Sequence, residues 1–134
     1  MRLNNKLLRD VMTRGVVTVP MDATAKQIAT LLNRKGLSAV AVTGRDGEAM
    51  GVISDMDILK VIGKDDWENI TADSIMTSHV EAVDPATTIG DAVKIMREKH
   101  IHRLIVFSEK GVGASQRPIG ILSASDIIRE AARA

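Results

Sequence analysis

Cysteine and tyrosine are absent from this sequence of 134 residues, which holds one tryptophan, one phenylalanine and three prolines. Without cysteine there is no disulfide, no thiolate nucleophile and no thiolate metal site, and a cytoplasmic setting is expected. Without aromatic clusters there is no stacking platform for single-stranded nucleic acid. Net charge is missing too. The 18 Lys and Arg against 17 Asp and Glu leave +1, neither the basic field of a nucleic-acid binder nor an acidic tail. No apolar run approaches the roughly 20 residues that cross a bilayer. The stretch MRLNNKLLRDVMTRG lacks the continuous apolar segment of a signal peptide, so neither membrane insertion nor secretion is expected. What is present suffices for a packed core: 45% of residues are hydrophobic beside 26% charged. The length suits one domain, or two small ones sharing a core.

The chain repeats itself. Shifted by 64 positions, Val11-Met12-Thr13 falls on Ile75-Met76-Thr77, Thr24 on Thr88, and Ala39–Thr43 on Arg103–Phe107. Farther on the shift becomes 69, and Gly51, Ser54, Asp57 and Ile58 fall on Gly120, Ser123, Asp126 and Ile127. The added residues fall in SEKGVGASQRP (108–118), which reads as a hairpin loop.

Each copy predicts the same order of elements. A short strand (Val16–Val19; Val80–Val83) leads to a helix opened by Thr24 or Thr88, each with a side-chain acceptor three residues on. Ile28, Leu31 and Leu32 form the apolar stripe of one helix, and Ala92, Ile95 and Met96 that of the other. Gly36 and His100 mark the ends. Two strands follow (Ala39–Thr43 and Ala49–Ile53; Arg103–Phe107 and Pro118–Leu122), and a second helix closes each copy (Asp55–Val61; Ser125–Ala132). The expected class is α/β of the α+β type. Residues 1–62 are read as the first β-α-β-β-α repeat with its lead-in, 63–74 as a linker whose Trp67 either packs it onto the body or anchors a protein interface, and 75–134 as the second repeat. A copy of about 60 residues buries too little surface alone, so the two are expected to share a core.

The repeated Gly-x-x-Ser-x-x-Asp has two readings. In the first, Ser and Asp are the N-cap and third residue of a helix, and they satisfy its free N–H groups. In the second, the same helix end receives a phosphate while the carboxylate accepts from two ribose hydroxyls, which together describe a nucleotide. The glycine lets a ligand or a neighbouring backbone come close to the strand. Its presence in both copies favours the ligand.

The duplicated GVISDMDI (51–58) and GILSASDI (120–127), the VMT and IMT heads of the repeats, and HIHRLIVF (100–107) resemble a tandem pair of CBS (cystathionine β-synthase) domains, a Bateman module, over residues 8–132. The resemblance implies two repeats packed with pseudo-twofold symmetry around two clefts that take adenosine-containing ligands. AMP, ADP and ATP lead, with NAD and S-adenosylmethionine as alternatives. In one cleft Ser123 and Asp126 would hold phosphate and ribose, Val16, Leu37, Ser38 and Ile121 would flank the base, and His102 and Arg103 would face the phosphates. The other would use Ser54 and Asp57 with Val52, Val80 and Ile101. Ala39 stands where the second repeat has Arg103. A phosphate-rich ligand is therefore expected at Ser123/Asp126, and the other cleft is read as empty, weaker, or suited to a less charged adenosyl ligand. The resemblance further implies a homodimer that regulates a partner protein through a ligand-induced conformational shift, with no catalysis and no catalytic cofactor. The rival reading is a ligand-independent scaffold. No nucleophile is matched with a base, and His100 with His102 are too few for a metal site.

Overall fold

The computed structural model describes residues 2–14, 16–77, 81–107 and 118–133. In chain order the elements are β1 (Thr13–Arg14), β2 (Thr18–Pro20), α1 (Ala25–Lys35), β3 (Ala39–Thr43), β4 (Ala49–Ser54), α2 (Asp55–Ile62), α3 (Ala72–Ile75), β5 (Ala82–Val83), α4 (Ile89–Lys99), β6 (Arg103–Phe107), β7 (Pro118–Ser123) and α5 (Ala124–Arg133). Short 3-10 turns stand at Leu3–Asn5, Leu8–Asp10 and Trp67–Asn69. Val80 and the expected hairpin loop, Pro118 apart, lie outside the described residues. The mixture of helices and small sheets is the α+β class that the sequence predicts.

The chain divides into two compact units. The first, Val17–Val80, carries the sheet β2-β3-β4, with β2 parallel and β4 antiparallel to β3. Its core gathers Ile28, Leu32, Val40, Val42, Ile53 and Ile58, and Trp67 packs against it. The second unit, Met1–Val16 with Glu81–Ala134, carries the sheet β1-β7-β6-β5 around Ile89, Met96, Leu104, Val106, Leu122 and Ile127.

The units are therefore not the sequence repeats. The lead-in of the first repeat is built into the second unit, where Leu8 is fully buried and β1 pairs antiparallel with β7. The segment between the repeats is built into the first unit, where Thr77 bridges to Val52. Each sheet offers an edge strand, β4 or β7, whose backbone groups need partners, and these segments supply them.

The helices begin and end where their caps dictate. Thr24 Oγ1 accepts from Gln27 N–H at 3.2 Å while Gln27 Oε1 accepts from Thr24 N–H at 2.9 Å. Thr88 Oγ1 caps α4 by accepting from Asp91 N–H at 3.1 Å. Gly36 ends α1 at φ 64°, and His100 ends α4 at φ 53°. A left-handed backbone costs a residue with a Cβ about 1–2 kcal/mol, and glycine gives back about half of that relief as unfolded-state entropy. His100→Gly should accordingly raise the melting temperature by about 3 °C, which a thermal melt without ligand will read.

Candidate functional site

Both serine–aspartate motifs sit where a strand runs directly into a helix. In the first unit β4 ends at Ser54, the N-cap of α2. Ser54 N–H donates to Asp57 Oδ2 at 2.8 Å, and Asp57 N–H donates to Ser54 Oγ at 3.3 Å. The Ser54 hydroxyl also donates to Asp57 Oδ2, at 3.1 Å, so both of its capacities are engaged inside the motif. The Lys60 ammonium lies 3.8 Å from Asp57 Oδ1.

In the second unit β7 ends at Ser123 and α5 follows. Ser123 N–H donates to Asp126 Oδ2 at 2.9 Å, and Asp126 N–H donates to Ser123 Oγ at 3.2 Å. The capping reading thus holds in both copies. The hydroxyls, however, are disposed differently. Ser123 Oγ lies 2.8 Å from Ser125 Oγ, which puts two hydroxyls side by side at the start of α5. Arg129 Nη1 donates to Asp126 Oδ1 at 3.2 Å. A carboxylate offers about four acceptor positions, and these two bonds leave Asp126 with capacity for a pair of hydroxyl donors.

Arg103 opens β6, and its antiparallel partner in register is Ser123. Directly opposed residues of an antiparallel pair share one face of the sheet, and Ile121, paired with Ile105, lies on that face too. His102 precedes Arg103 at an exposed position, and its carbonyl accepts from Ala124 N–H at 2.9 Å, which fixes the start of β6 against the start of α5. In the first unit the residue paired with Ser54 is Ala39, and the Ser38 carbonyl accepts from Asp55 N–H at 2.9 Å. The backbone is repeated and the cation is not.

The predicted residues fall into both units. His102, Arg103, Ile121, Ser123 and Asp126 are gathered at the β6–β7–α5 junction, and Val16 and Ile101 belong to the same unit. Leu37, Ser38, Val52, Ser54 and Asp57 belong to the first unit, and Val80 lies outside the described residues. Ser125 escaped the sequence reading. Its counterpart in the first copy is Met56, and that contrast was the available signal.

The repeated glycine receives a structural explanation in the first unit. A Cβ on Gly51 would stand 2.7 Å from the Thr77 carbonyl oxygen and 2.9 Å from Met76 Sδ. The neighbouring backbone, not a ligand, occupies the space that the missing side chain leaves. Arg14 is the register partner of Gly120, the equivalent position in the second unit. Among the described residues no group of three or more His, Asp or Glu side chains could hold a metal ion, and no helix is long and apolar enough to cross a membrane.

Comparison with known proteins fits this architecture. The CBS domain family model matches residues 8–64 and 72–133. An uncharacterized protein of Methanopyrus kandleri, MK0525, is 32% identical over 123 residues, which cover 90% of this chain and 60% of that protein. Hypoxic response protein 1 of Mycobacterium tuberculosis is 28% identical over 123 residues, 90% of this chain and 82% of its own. Four further curated relatives are longer still, and the chain spans 24% to 42% of their length. Among solved structures, the CBS domain pair of protein MJ0100, in complex with 5′-methylthioadenosine and S-adenosyl-L-methionine, superposes with a TM-score of 0.83 at 20% identity, over 96% of this chain and 97% of that one. With two matched segments that together cover most of its length, the chain belongs to the CBS domain family, as a tandem pair.

Proposed function

We propose that this CBS pair is a regulatory module that binds an adenosine nucleotide at the junction of β6, β7 and α5 and carries out no chemistry on it. The observation that carries this reading is Arg103 opposite Ser123 in the strand register, where the first unit has Ala39 opposite Ser54. A cation, two adjacent hydroxyls and a helix N-terminus suit phosphate, and a carboxylate with open acceptor positions suits a ribose diol. The MJ0100 complex supports an adenosine-containing ligand for a pair of this fold. AMP, ADP and ATP fit the cation best, and NAD or S-adenosylmethionine would use the same ribose contact. The Ser54/Asp57 motif, with no arginine opposite it, would take a less charged adenosyl ligand or none. The lack of cysteine fits a cytoplasmic setting.

Regulation would proceed by population shift. A ligand that prefers one arrangement of the chain moves the equilibrium by its difference in affinity. A partner protein would read the change, and a homodimer would cover the exposed apolar face of α2, where Met56, Leu59 and Ile62 stand a turn apart. The complete capping bonds in both motifs also favour a second reading, a scaffold in which serine and aspartate only begin helices.

Asp126→Asn separates the two. A saturating nucleotide should raise the melting temperature of the wild type, because it binds only the folded state. In the variant a charged acceptor facing the ribose is lost, and affinity for AMP should fall at least about tenfold. Preference for AMP over 2′-deoxy-AMP should shrink with it, while Asp57→Asn leaves both values unchanged. Calorimetry that shows wild-type binding of both nucleotides by Asp126→Asn, alongside a small loss of stability, would leave only the cap.

A further inference from the structure

The two lead-in segments are built alike and fastened differently. Under the shift of 64, their backbone bonds correspond. Leu8 N–H reaches the Thr87 carbonyl at 2.9 Å as Ala72 N–H reaches that of Ala23 at 2.7 Å. Arg9 N–H reaches Pro85 at 3.0 Å as Asp73 N–H reaches Met21 at 3.0 Å, and Ile89 N–H reaches Lys6 at 2.8 Å as Ala25 N–H reaches Ile70 at 2.7 Å. The side chains match less closely: Leu8 stands where the first unit has Ala72, Leu3 where it has Trp67, and one pair changes from apolar to charged. Lys6 Nζ lies 2.5 Å from Glu130 Oε1, whereas the corresponding places in the first unit hold Val61, in its apolar core, and Ile70, partly buried against that core.

Water reaches this ion pair, whose side chains are 33% and 17% exposed. The hydrogen bond from Lys6 holds the Glu130 carboxyl below its usual range, against the opposing effect of burial. Ion pairs of this kind add little net stability and weaken with salt. Apolar side chains withdrawn from water gain more, and salt does not screen them. At this one point the second unit therefore holds its lead-in by the weaker device.

What the lead-in grips is the Ser123/Asp126 motif, and it does so from both sides. β1 pairs with β7, the strand that ends in Ser123. Leu8 and Met12 share a core with Leu122 and Ile127, the residues that bracket the motif. Glu130 lies on α5 one turn beyond Asp126.

We propose that residues 3–14 form a releasable strap. Docked, it holds β7 and the start of α5 in the geometry that receives ligand; released, it lets that motif loosen, so strap docking and ligand occupancy favour one another. The link to ligand rests on the function proposed above, and the release does not.

Hydrogen exchange of the intact chain tests the release. Without nucleotide, the amides of Leu8 and Arg9 should exchange at least about tenfold faster than those of Ala72 and Asp73, and faster again in about 1 M salt. Lys6→Ile combined with Glu130→Val writes the first unit's apolar pair into the second. It should slow Leu8 and Arg9 and abolish their response to salt. Equal exchange in the two segments, unmoved by salt, overturns the strap whatever the chain binds. Calorimetry tests the link: Lys6→Glu should weaken AMP about tenfold, and wild-type affinity in that variant overturns the coupling. If AMP, ADP, ATP, NAD and S-adenosylmethionine all fail to bind the wild type, the ligand reading falls, and the exchange comparison alone decides the strap.

Discussion

Leu8→Ala should cost about 3 kcal/mol of folding stability, from a range of about 2–5 for buried leucines cut to alanine. That shifts the folding equilibrium more than about a hundredfold. Leu8 is fully buried in the core of the second unit, and its N–H donates to the Thr87 carbonyl. The alanine would leave a cavity because the surroundings are shaped for leucine. The first unit shows the alternative solution. Ala72 occupies the place of Leu8 and is fully buried, while the segment that carries it supplies bulk through Trp67 where the second unit has only Leu3. Small and large are exchanged within each segment, so cutting Leu8 alone removes volume that nothing restores. Denaturant titration checks this against Leu7→Ala, whose side chain is half-buried and should cost under about 1 kcal/mol. If the two variants lose the same small amount, residues 3–12 are not part of the core.

How legible this was depended on the length of the signal. β3 and β6 stand at the residues that the sequence marks, because runs of four apolar residues (Ala39–Val42; Leu104–Phe107) bounded by turns have few alternatives. The helices were legible from Thr24, Thr88, Gly36 and His100, since caps are local chemistry. β1 was not, because a two-residue strand has no periodicity. Nor was the exchange of lead-ins. Leu8 and Met12 announce an apolar face, but nothing local says which sheet edge it will cover. At the site, Ser123 and Asp126 were legible as a helix start. Ser125 was hidden by the same reading, since one serine suffices for a cap.

Arg103→Ala should weaken phosphate-bearing ligands by about ten- to a hundredfold, the equivalent of about 1.5–3 kcal/mol for a charge-assisted hydrogen bond. Adenosine itself should bind almost as before, since only the phosphates would meet the guanidinium. The placement behind this is the register that sets Arg103 opposite Ser123. A lysine keeps the charge but loses the planar fork, so Arg103→Lys should fall between wild type and alanine. The reciprocal change makes the stricter test. Ala39→Arg sets a cation opposite Ser54 and should improve AMP binding at the first motif without altering the affinity for adenosine. Two obstacles limit the gain. Ala39 is buried, so the longer side chain needs room at the strand end, and the Ser54 hydroxyl already donates to Asp57. About tenfold is therefore the expected ceiling. Calorimetry with AMP and adenosine on Arg103→Ala, and on Ala39→Arg within Arg103→Ala, reads both changes separately. Equal losses for AMP and adenosine in Arg103→Ala would mean that the guanidinium shapes the strand end and never meets the phosphate.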